Sequence, residues 1–445
     1  MALSGLDIYK LLPKTNCREC GFATCLAFAM QLAKKAVGID KCPYLTSEVR
    51  EKLEAQSQPP IKLITIGSGE ARLEIGNESV MFRHEEKFYR PAGVGFIIPD
   101  NISDAEIQSR VDKINNLKFE RIGQELKANL IAIRQNASSE RFIAAVKLVS
   151  AATSLGLVLM SDDAQGLKGA LEHLKGRRPL IYHATEENLA AFAQLAGEYK
   201  VPLAAQAKGL EELSALTVEL AKRGAGDLVI ETGNKPVSGK IWDLTQSRRL
   251  ALKKSNRSLG YPSIVVIDNS DPYEEIQEAA TYISKYAGIV LVKSIETWAA
   301  LSLLTLRQNI YTDPQKPLQI EPKLYPVGQV SDKSPVLITT NFSLSYYTVL
   351  GEVEASKIPS YIISVDTEGM SVLTAWAAEK FTPHKITESI GKFGVKDAVS
   401  HRRLVIPGYV AVMSGELQDV SGFEVIVGPK EAAGLPVFLK NLRYE

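Results

Sequence analysis

Between residues 94 and 292 the chain repeats one pattern eight times: a brief run of aliphatic and β-branched residues, then an amphipathic stretch of ten or more. The runs are Val94–Ile98, Leu130–Ile133, Leu157–Met160, Leu180–Tyr182, Leu203–Ala205, Leu228–Ile230, Ile264–Ile267 and Ile289–Val292. A spacing of roughly 22 to 36 residues is the length of one βα unit, and eight such units are what a closed parallel (β/α)8 TIM barrel requires. An open doubly wound sheet is the rival that periodicity alone leaves standing. Helix starts carry caps: Ser103 with Glu106, Asp271 with Pro272 and Glu274, and Ser294 before Glu296.

The flanks of this array divide the 445 residues further. Gln56-Ser57-Gln58-Pro59-Pro60 is a polar, proline-punctuated connection that ends a small helical domain, residues 1–58. Lys62–Ile66, Arg72–Ile75 and Ser79–Arg83 read as three short antiparallel strands separated by Gly67-Ser68-Gly69 and Gly76-Asn77, a hairpin cap on a barrel domain of residues 59–312. Prolines at 314, 317, 322, 326 and 335 make residues 313–335 an extended linker. Residues 336–445 form a third domain. Strands at Val336–Thr340, Ser360–Val365, Leu404–Ile406 and Glu424–Val427 alternate with helices at Ser343–Val353 and around Trp376, which predicts an open, mostly parallel α/β sheet of Rossmann-like or flavodoxin-like type.

Composition narrows the function. Lys and Arg number 52 against 51 Asp and Glu, so a net charge of +1 supplies no field for nucleic acid or an anionic membrane. No run of about 18 apolar residues is present and the first residues lack a secretory layout, so a cytoplasmic protein is expected. All four cysteines, Cys17, Cys20, Cys25 and Cys42, fall in the first tenth of the chain. In a reducing compartment such a cluster points to a metal centre rather than two disulfides. Cys17-x2-Cys20-x4-Cys25-x16-Cys42, closed by Cys42-Pro43, suits a 4Fe-4S cluster better than structural zinc, which usually takes two Cys-x2-Cys knuckles. Thr24 is placed to cap a helix beginning at Cys25, whose amino end would stabilise a thiolate.

The string Asn16-Cys-Arg-Glu-Cys-Gly-Phe-Ala-Thr-Cys-Leu-Ala-Phe-Ala-Met-Gln-Leu-Ala, with Lys41-Cys-Pro later, resembles the cluster domain of the large (gamma) subunit of the corrinoid iron-sulfur protein, and the likeness extends over the whole chain. The resemblance implies a 4Fe-4S domain, a methyltransferase-like TIM barrel and a C-terminal cobalamin-binding domain. It implies a methyl carrier of the acetyl-CoA (Wood-Ljungdahl) pathway, the methyltransferase component of a heterodimer with a small subunit. The methyl would come from methyltetrahydrofolate through a separate methyltransferase and go to acetyl-CoA synthase, the cluster reducing Co(II) to Co(I). It further implies base-off cobalamin. Many cobalamin domains carry Asp-x-His-x-x-Gly, and none of His173, His384 or His401 fits that pattern.

The corrin is expected at the carboxyl ends of the last domain's strands, where open α/β sheets bind ligands. Three loops qualify: Thr339-Thr340-Asn341 with Tyr346 on the following helix; Gly369, Met370, Ser371, Val372, Leu373, Thr374 and Ala375; and Pro407-Gly408-Tyr409 together with the turn at Ala432, Ala433 and Gly434. Thr374 is expected nearest the lower face, or else simply packs in its helix. In the barrel the carboxyl-end loops are polar: Asp100-Asn101, Gln135-Asn136, Asp162-Asp163, His183, Gln206, Glu231-Thr232, Asp268-Asn269 and Lys293. Such loops are polar in any barrel, so scaffold and docking surface is the favoured reading and a pterin-binding, self-contained corrinoid methyltransferase the alternative. An iron-sulfur electron-transfer protein with a nucleotide or flavin domain is the other. Trp242, Trp298 and Trp376 read as packing residues, Lys34-Lys35 as a solvated helix face, and Gly67-Ser68-Gly69 as a turn.

Overall fold

The computed structural model describes residues 5–33, 37–46, 49–50, 53 and 59–442. Lys34, Lys35 and Gln56–Gln58 lie outside the described residues. Contacts divide the chain into two compact units: residues 1–118 with 127–311, and residues 119–126 with 312–445.

In the first unit, α1 (Gly5–Leu11) and α2 (Cys25–Ala33) pack across Ile8, Leu12, Phe28 and Ala29. Thr24 Oγ1 accepts from Ala27 N at 3.1 Å, the expected cap of α2. After the antiparallel pair β1 (Ile64–Ile66) and β2 (Leu73–Ile75), eight parallel strands close a barrel. They are β3 (Gly93–Pro99), β6 (Leu130–Arg134), β7 (Gly156–Met160), β8 (Leu180–Ala184), β9 (Leu203–Gln206), β10 (Leu228–Glu231), β11 (Ser263–Val266) and β12 (Ala287–Val292). Seven of the eight apolar runs lie within one of them, and the eighth, Ile264–Ile267, passes the end of β11 by one residue. Two helices needed below are α8 (Val237–Lys254) and α10 (Thr297–Tyr311).

The β1–β2 pair plugs the barrel's amino end. Ile64, Ile66, Leu73 and Ile75 share one core with Leu130, Val158, Leu180, Ile264 and Leu291 from the strands. Each fully buried aliphatic side chain of this kind contributes about 1.5–3 kcal/mol. At Gly93, which opens β3, a Cβ would sit 2.7 Å from Leu73 Cδ2, so a side chain there would displace the Leu73 plug. Arg178 Nε clamps the pair by donating to Thr65 O at 2.9 Å. The third expected cap strand, 79–83, does not form: Met81 N and Phe82 N donate to the Glu85 carboxylate at 3.1 and 3.2 Å, so a side chain takes the place of a neighbouring strand.

The second unit holds the sheet β13 (Leu324–Val327), β15 (Ser360–Val365), β14 (Val336–Thr340), β16 (Arg403–Ile406), β17 (Glu424–Val427), in that spatial order. All neighbours are parallel except β13, an antiparallel edge strand drawn from the proline-rich stretch. Its Pro326 is tolerated because an edge strand can do without one N–H. β14 alternates, Val336 and Ile338 facing one core and Leu337 the other. Helix α11 (Ser343–Ser356) follows β14, α12 (Val372–Ala377) follows β15, and α15 (Ser414–Ser421) precedes β17. The hairpin β4 (Lys118–Arg121) and β5 (Gln124–Lys127) supplies residues 119–126 to this unit, its Ile122 joining the core of Tyr325, Tyr346 and Val353. The chain therefore passes between the two units three times.

Candidate functional site

Three constellations carry chemistry. In the first, the cysteine loop folds back on the amino end of α2. Asn16 Oδ1 accepts from Cys25 N at 2.8 Å, and Asn16 N donates to Cys25 Sγ at 3.4 Å. Cys25 and Cys42 are buried, Cys20 is half-buried and Cys17 exposed. Burial pushes the Cys42 thiol up, the Tyr44 backbone pulls it down, and the thiols of Cys20, Cys17 and Cys25 push it further up. Three thiols within electrostatic range of the fourth, Cys42, with Cys25 and Cys42 sunk among Ile8, Leu12 and Phe28, form a donor set suited to a cluster. Among the described residues no three His, Cys, Asp or Glu side chains converge closely enough to hold a single ion. A cube in which each thiolate takes its own iron asks for ligands spread around it.

The second constellation lies at the carboxyl ends of β14 and β16, the point where strand order reverses and a crevice must open. A cleft of about 310 Å³ sits there, lined on one side by Thr339, Leu344, Ser345 and Thr348, and on the other by Pro407, Tyr409 and the Gly428–Ala432 loop. Ser371 and Val372 complete it. Gly408 lets the Gly428–Ala432 loop pack closely, since a Cβ there would meet Gly428 O at 2.6 Å. Around it Leu344, Leu373, Trp376, Tyr409 and Val412 are exposed, an apolar rim. A bed of aliphatic side chains, hydroxyls and backbone with an apolar rim suits a large planar macrocycle, and at the end of β14 Thr340 Oγ1 is buried without a partner.

The expected corrin contacts separate into groups. Ser371, Val372 and Pro407 line the cleft; Leu373 and Thr374 stand exposed on the first turn of α12, with Ser371 Oγ and Thr374 Oγ1 2.9 Å apart. Ala375 is buried beneath them, and Met370 is half-buried. Gly369 adopts φ +76° and is pressed on Gln319. Asn341 is buried and spends its amide on the 366–369 loop. Tyr346 lies in the core with its ring 4.8 Å from that of Tyr325, while its neighbour Ser345 faces the cleft. Ala433 is exposed and Gly434 rests on Pro429. Sequence reasoning passed over Gly428-Pro429-Lys430-Glu431, although their place after β17 was available from the same strand-end rule. His401 stands just ahead of β16, at the opposite end of the sheet, its Nε2 2.9 Å from Ser334 O.

The third is the barrel's carboxyl mouth, a cavity of about 640 Å³. At its base the Tyr182 hydroxyl donates to the Glu231 carboxylate, which also lies 3.5 Å from Lys240 Nζ on α8. Burial first, then the Glu231 charge, hold the Tyr182 phenol well above its usual range; burial draws Lys240 down against the pull of Glu231. His183 Nδ1 is buried without a partner and burial holds that ring below its ordinary pKa. At the rim Asp268 bridges Lys293 at 2.9 Å and Arg134 at 3.6 Å.

Residues 63–439 match the family described as CO dehydrogenase/acetyl-CoA synthase delta subunit, and residues 12–44 match the family described as "Putative Fe-S cluster". The chain is 46% identical over 441 residues to the corrinoid/iron-sulfur protein large subunit of Moorella thermoacetica, covering 99% of each. The chain belongs to the corrinoid/iron-sulfur large-subunit family. A second member, subunit gamma of the acetyl-CoA decarbonylase/synthase complex of Methanothermobacter thermautotrophicus, is 36% identical over 459 residues, covering 100% of both chains. Methanopyrus kandleri has a gamma subunit 35% identical, covering 99% of this chain and 98% of its own. The family likeness thus spans the cysteine domain, barrel and final sheet together. No described helix is long and apolar enough to cross a membrane.

Proposed function

We propose that this chain is the methyl-carrier subunit of a corrinoid/iron-sulfur protein in the acetyl-CoA pathway, holding a 4Fe-4S cluster on Cys17, Cys20, Cys25 and Cys42 and base-off cobalamin over the β14/β16 crevice. The corrinoid supplies a cobalt that carries a methyl group from a methyltetrahydrofolate methyltransferase to acetyl-CoA synthase, and the cluster supplies the electron that restores low-valent cobalt. The observation that carries the reading is the crevice itself. It offers hydroxyls, backbone and aliphatic surface, and none of its described lining residues is a histidine. A seat without an imidazole leaves the cobalt's lower position weakly donated, which raises the Co(II)/Co(I) couple toward a cluster's reach.

The residues divide the work. Thr374 and Leu373, exposed on the first turn of α12, would face a corrinoid held at the crevice, and Leu344 and Tyr409 with the exposed Trp376 would supply apolar contact to it. A small subunit covers the opposite face as partner in a cytoplasmic heterodimer. Turnover needs the cobalt presented to two enzymes, and the hinge is the segment 312–317. The residues after it are already fixed, since Ile320 N donates to Asn341 O and β13 pairs with β15. Crystal structures with and without a methyltransferase are expected to place residues 336–445 differently. The deciding test is an anaerobic absorption and EPR spectrum of the purified heterodimer, expected to show an iron-sulfur and a corrinoid signal; a flavin spectrum in place of the corrinoid would replace this reading.

The barrel mouth favours one second reading. Its cavity and the unpartnered His183 Nδ1 are what a barrel binding its own methyl donor would have. Purified protein that demethylates methyltetrahydrofolate without a methyltransferase would establish it.

A further inference from the structure

Asn341 follows β14 and is 1% exposed. Its Oδ1 accepts three hydrogen bonds, from Thr367 N at 2.9 Å, Thr367 Oγ1 at 3.0 Å and Gly369 N at 3.0 Å. Its Nδ2 donates to Gln319 Oε1 and Asp366 Oδ1, both at 3.3 Å. A carboxamide oxygen has two lone pairs and its nitrogen two protons, so this amide has no capacity left for a ligand. All of it but the bond to Gln319 is spent on the loop 366–370. That loop needs holding, because Glu368 and Gly369 both take left-handed backbone, φ +57° and +76°. A non-glycine residue in that region persists only where its surroundings over-determine it.

The loop leads into Ser371 and the first turn of α12, which carries Leu373 and Thr374. On the other side of the same amide stands Gln319, within a segment whose Ile320 N donates to Asn341 O at 2.8 Å and whose Leu318 O accepts from Ser343 N at 3.0 Å. One buried side chain thus joins the segment that enters the sheet to the turn beside the cleft.

We propose that Asn341 is a positioning residue that fixes how closely the first turn of α12 approaches the lower face of the cobalt, and that it links this approach to segment 318–320. The inference rests on the corrinoid seat proposed above. With the amide removed the loop would relax and the first turn of α12 would no longer hold water away from a corrinoid seated there; a water donor would make Co(I) harder to reach.

The test uses the full-length heterodimer carrying Asn341→Ala, Asn341→Asp or Thr367→Val. Hydrogen exchange on corrinoid-free protein reads the clamp. Asn341→Ala is expected to speed exchange at residues 367–370 by at least about tenfold, and Asn341→Asp, which keeps the acceptor for Thr367 and Gly369 but sets a second carboxylate against Asp366, to restore only part of the protection. In corrinoid-loaded protein, Asn341→Ala is expected to shift the Co(II) EPR signal toward a five-coordinate form and to lower the Co(I):Co(II) ratio at a fixed potential about tenfold, equivalent to about 59 mV for one electron. The iron-sulfur signal stays unchanged. If Asn341→Ala does not fold, Thr367→Val, which removes the hydroxyl proton shared between Asn341 Oδ1 and Met370 O and keeps the side chain's shape, carries the same readouts at smaller amplitude. Wild-type exchange at 367–370 overturns the proposal, as does faster exchange with unaltered Co(II) EPR and potential. Wild-type protein that binds no corrinoid overturns the functional reading instead, while the exchange measurement still reports on the clamp.

Discussion

Gly408→Ala places one methyl group where the loops after β16 and β17 cross. The new Cβ would stand 2.6 Å from Gly428 O, 2.8 Å from Lys430 N and 2.9 Å from Pro429 C. All three are backbone atoms, so no rotamer change relieves them. Reaching ordinary contact at 3.4 Å requires the 428–430 backbone to retreat by 3.4 − 2.6, about 0.8 Å. Two hydrogen bonds pin that backbone, Gly408 N to Pro429 O at 3.1 Å and Gly428 N to Ile406 O at 2.9 Å. Overpacking of this kind costs about 1–3 kcal/mol and a lost hydrogen bond about 0.5–1.5 kcal/mol, so the variant should lose about 2–4 kcal/mol of local stability. The cleft wall moves with the loop, so corrinoid content per chain should fall as well. Hydrogen exchange of residues 403–442 measures the first effect and cobalt analysis after gel filtration the second. Gly415→Ala is the control: it lies in α15 with nothing within 4 Å of its Cβ and should be neutral or slightly stabilising. A Gly408→Ala protein with wild-type exchange and full cobalt would refute the reasoning.

Four further outcomes are expected. Glu231→Gln strips the charge partner from Lys240, whose side chain is 5% exposed, and should cost about 3–5 kcal/mol in thermal unfolding of the barrel; adding Lys240→Met should return most of it. His183 has a folded pKa below the ordinary 6.5, so below pH 6.5 the unfolded state binds a proton that the folded state refuses. Stability should therefore fall as pH drops from 6.5 toward the folded value, stay flat above 6.5, and lose this dependence in His183→Gln. Tyr346→Ala, in the core against Tyr325, should destabilise by about 3–5 kcal/mol yet leave the corrinoid spectrum of the folded fraction unchanged. Chelating the iron should expose residues 5–46 to protease while the barrel stays intact, because a core of Ile8, Leu12, Phe28 and Ala29 is too small to hold the domain alone.

The barrel was legible because strands buried on both faces read as unbroken aliphatic runs, whatever their neighbours. Ser103 and Asp271 were equally legible as caps, accepting from Glu106 N and from Tyr273 N and Glu274 N. Ser294 misled: its N–H is taken by the Glu275 carboxylate at 3.0 Å, and α10 starts three residues later. The hairpin 118–127 was hidden for two reasons. Its strands are largely exposed and carry charges, and its turn puts Ile122 and Gly123 at φ +56° and +69°, where a β-branched residue is not anticipated. At the candidate seat, strand-end position identified the loops but not which side chains face inward. Asn341 and Tyr346 have the right position and turn into the scaffold, because packing around Thr367 and Tyr325 decides their direction and no local pattern encodes it.

The proposed function pairs a four-thiol iron centre at the amino end with a cobalt seated without histidine at the carboxyl end. EPR-monitored redox titration of the anaerobically purified heterodimer, with iron and cobalt assayed on the same sample, tests it most directly. Expected are about four irons and one cobalt per large subunit, a low-potential cluster signal, and a base-off Co(II) signal lacking nitrogen hyperfine structure from a lower ligand. Protein with neither iron nor corrinoid, or a Co(II) signal split by an axial nitrogen, would contradict it.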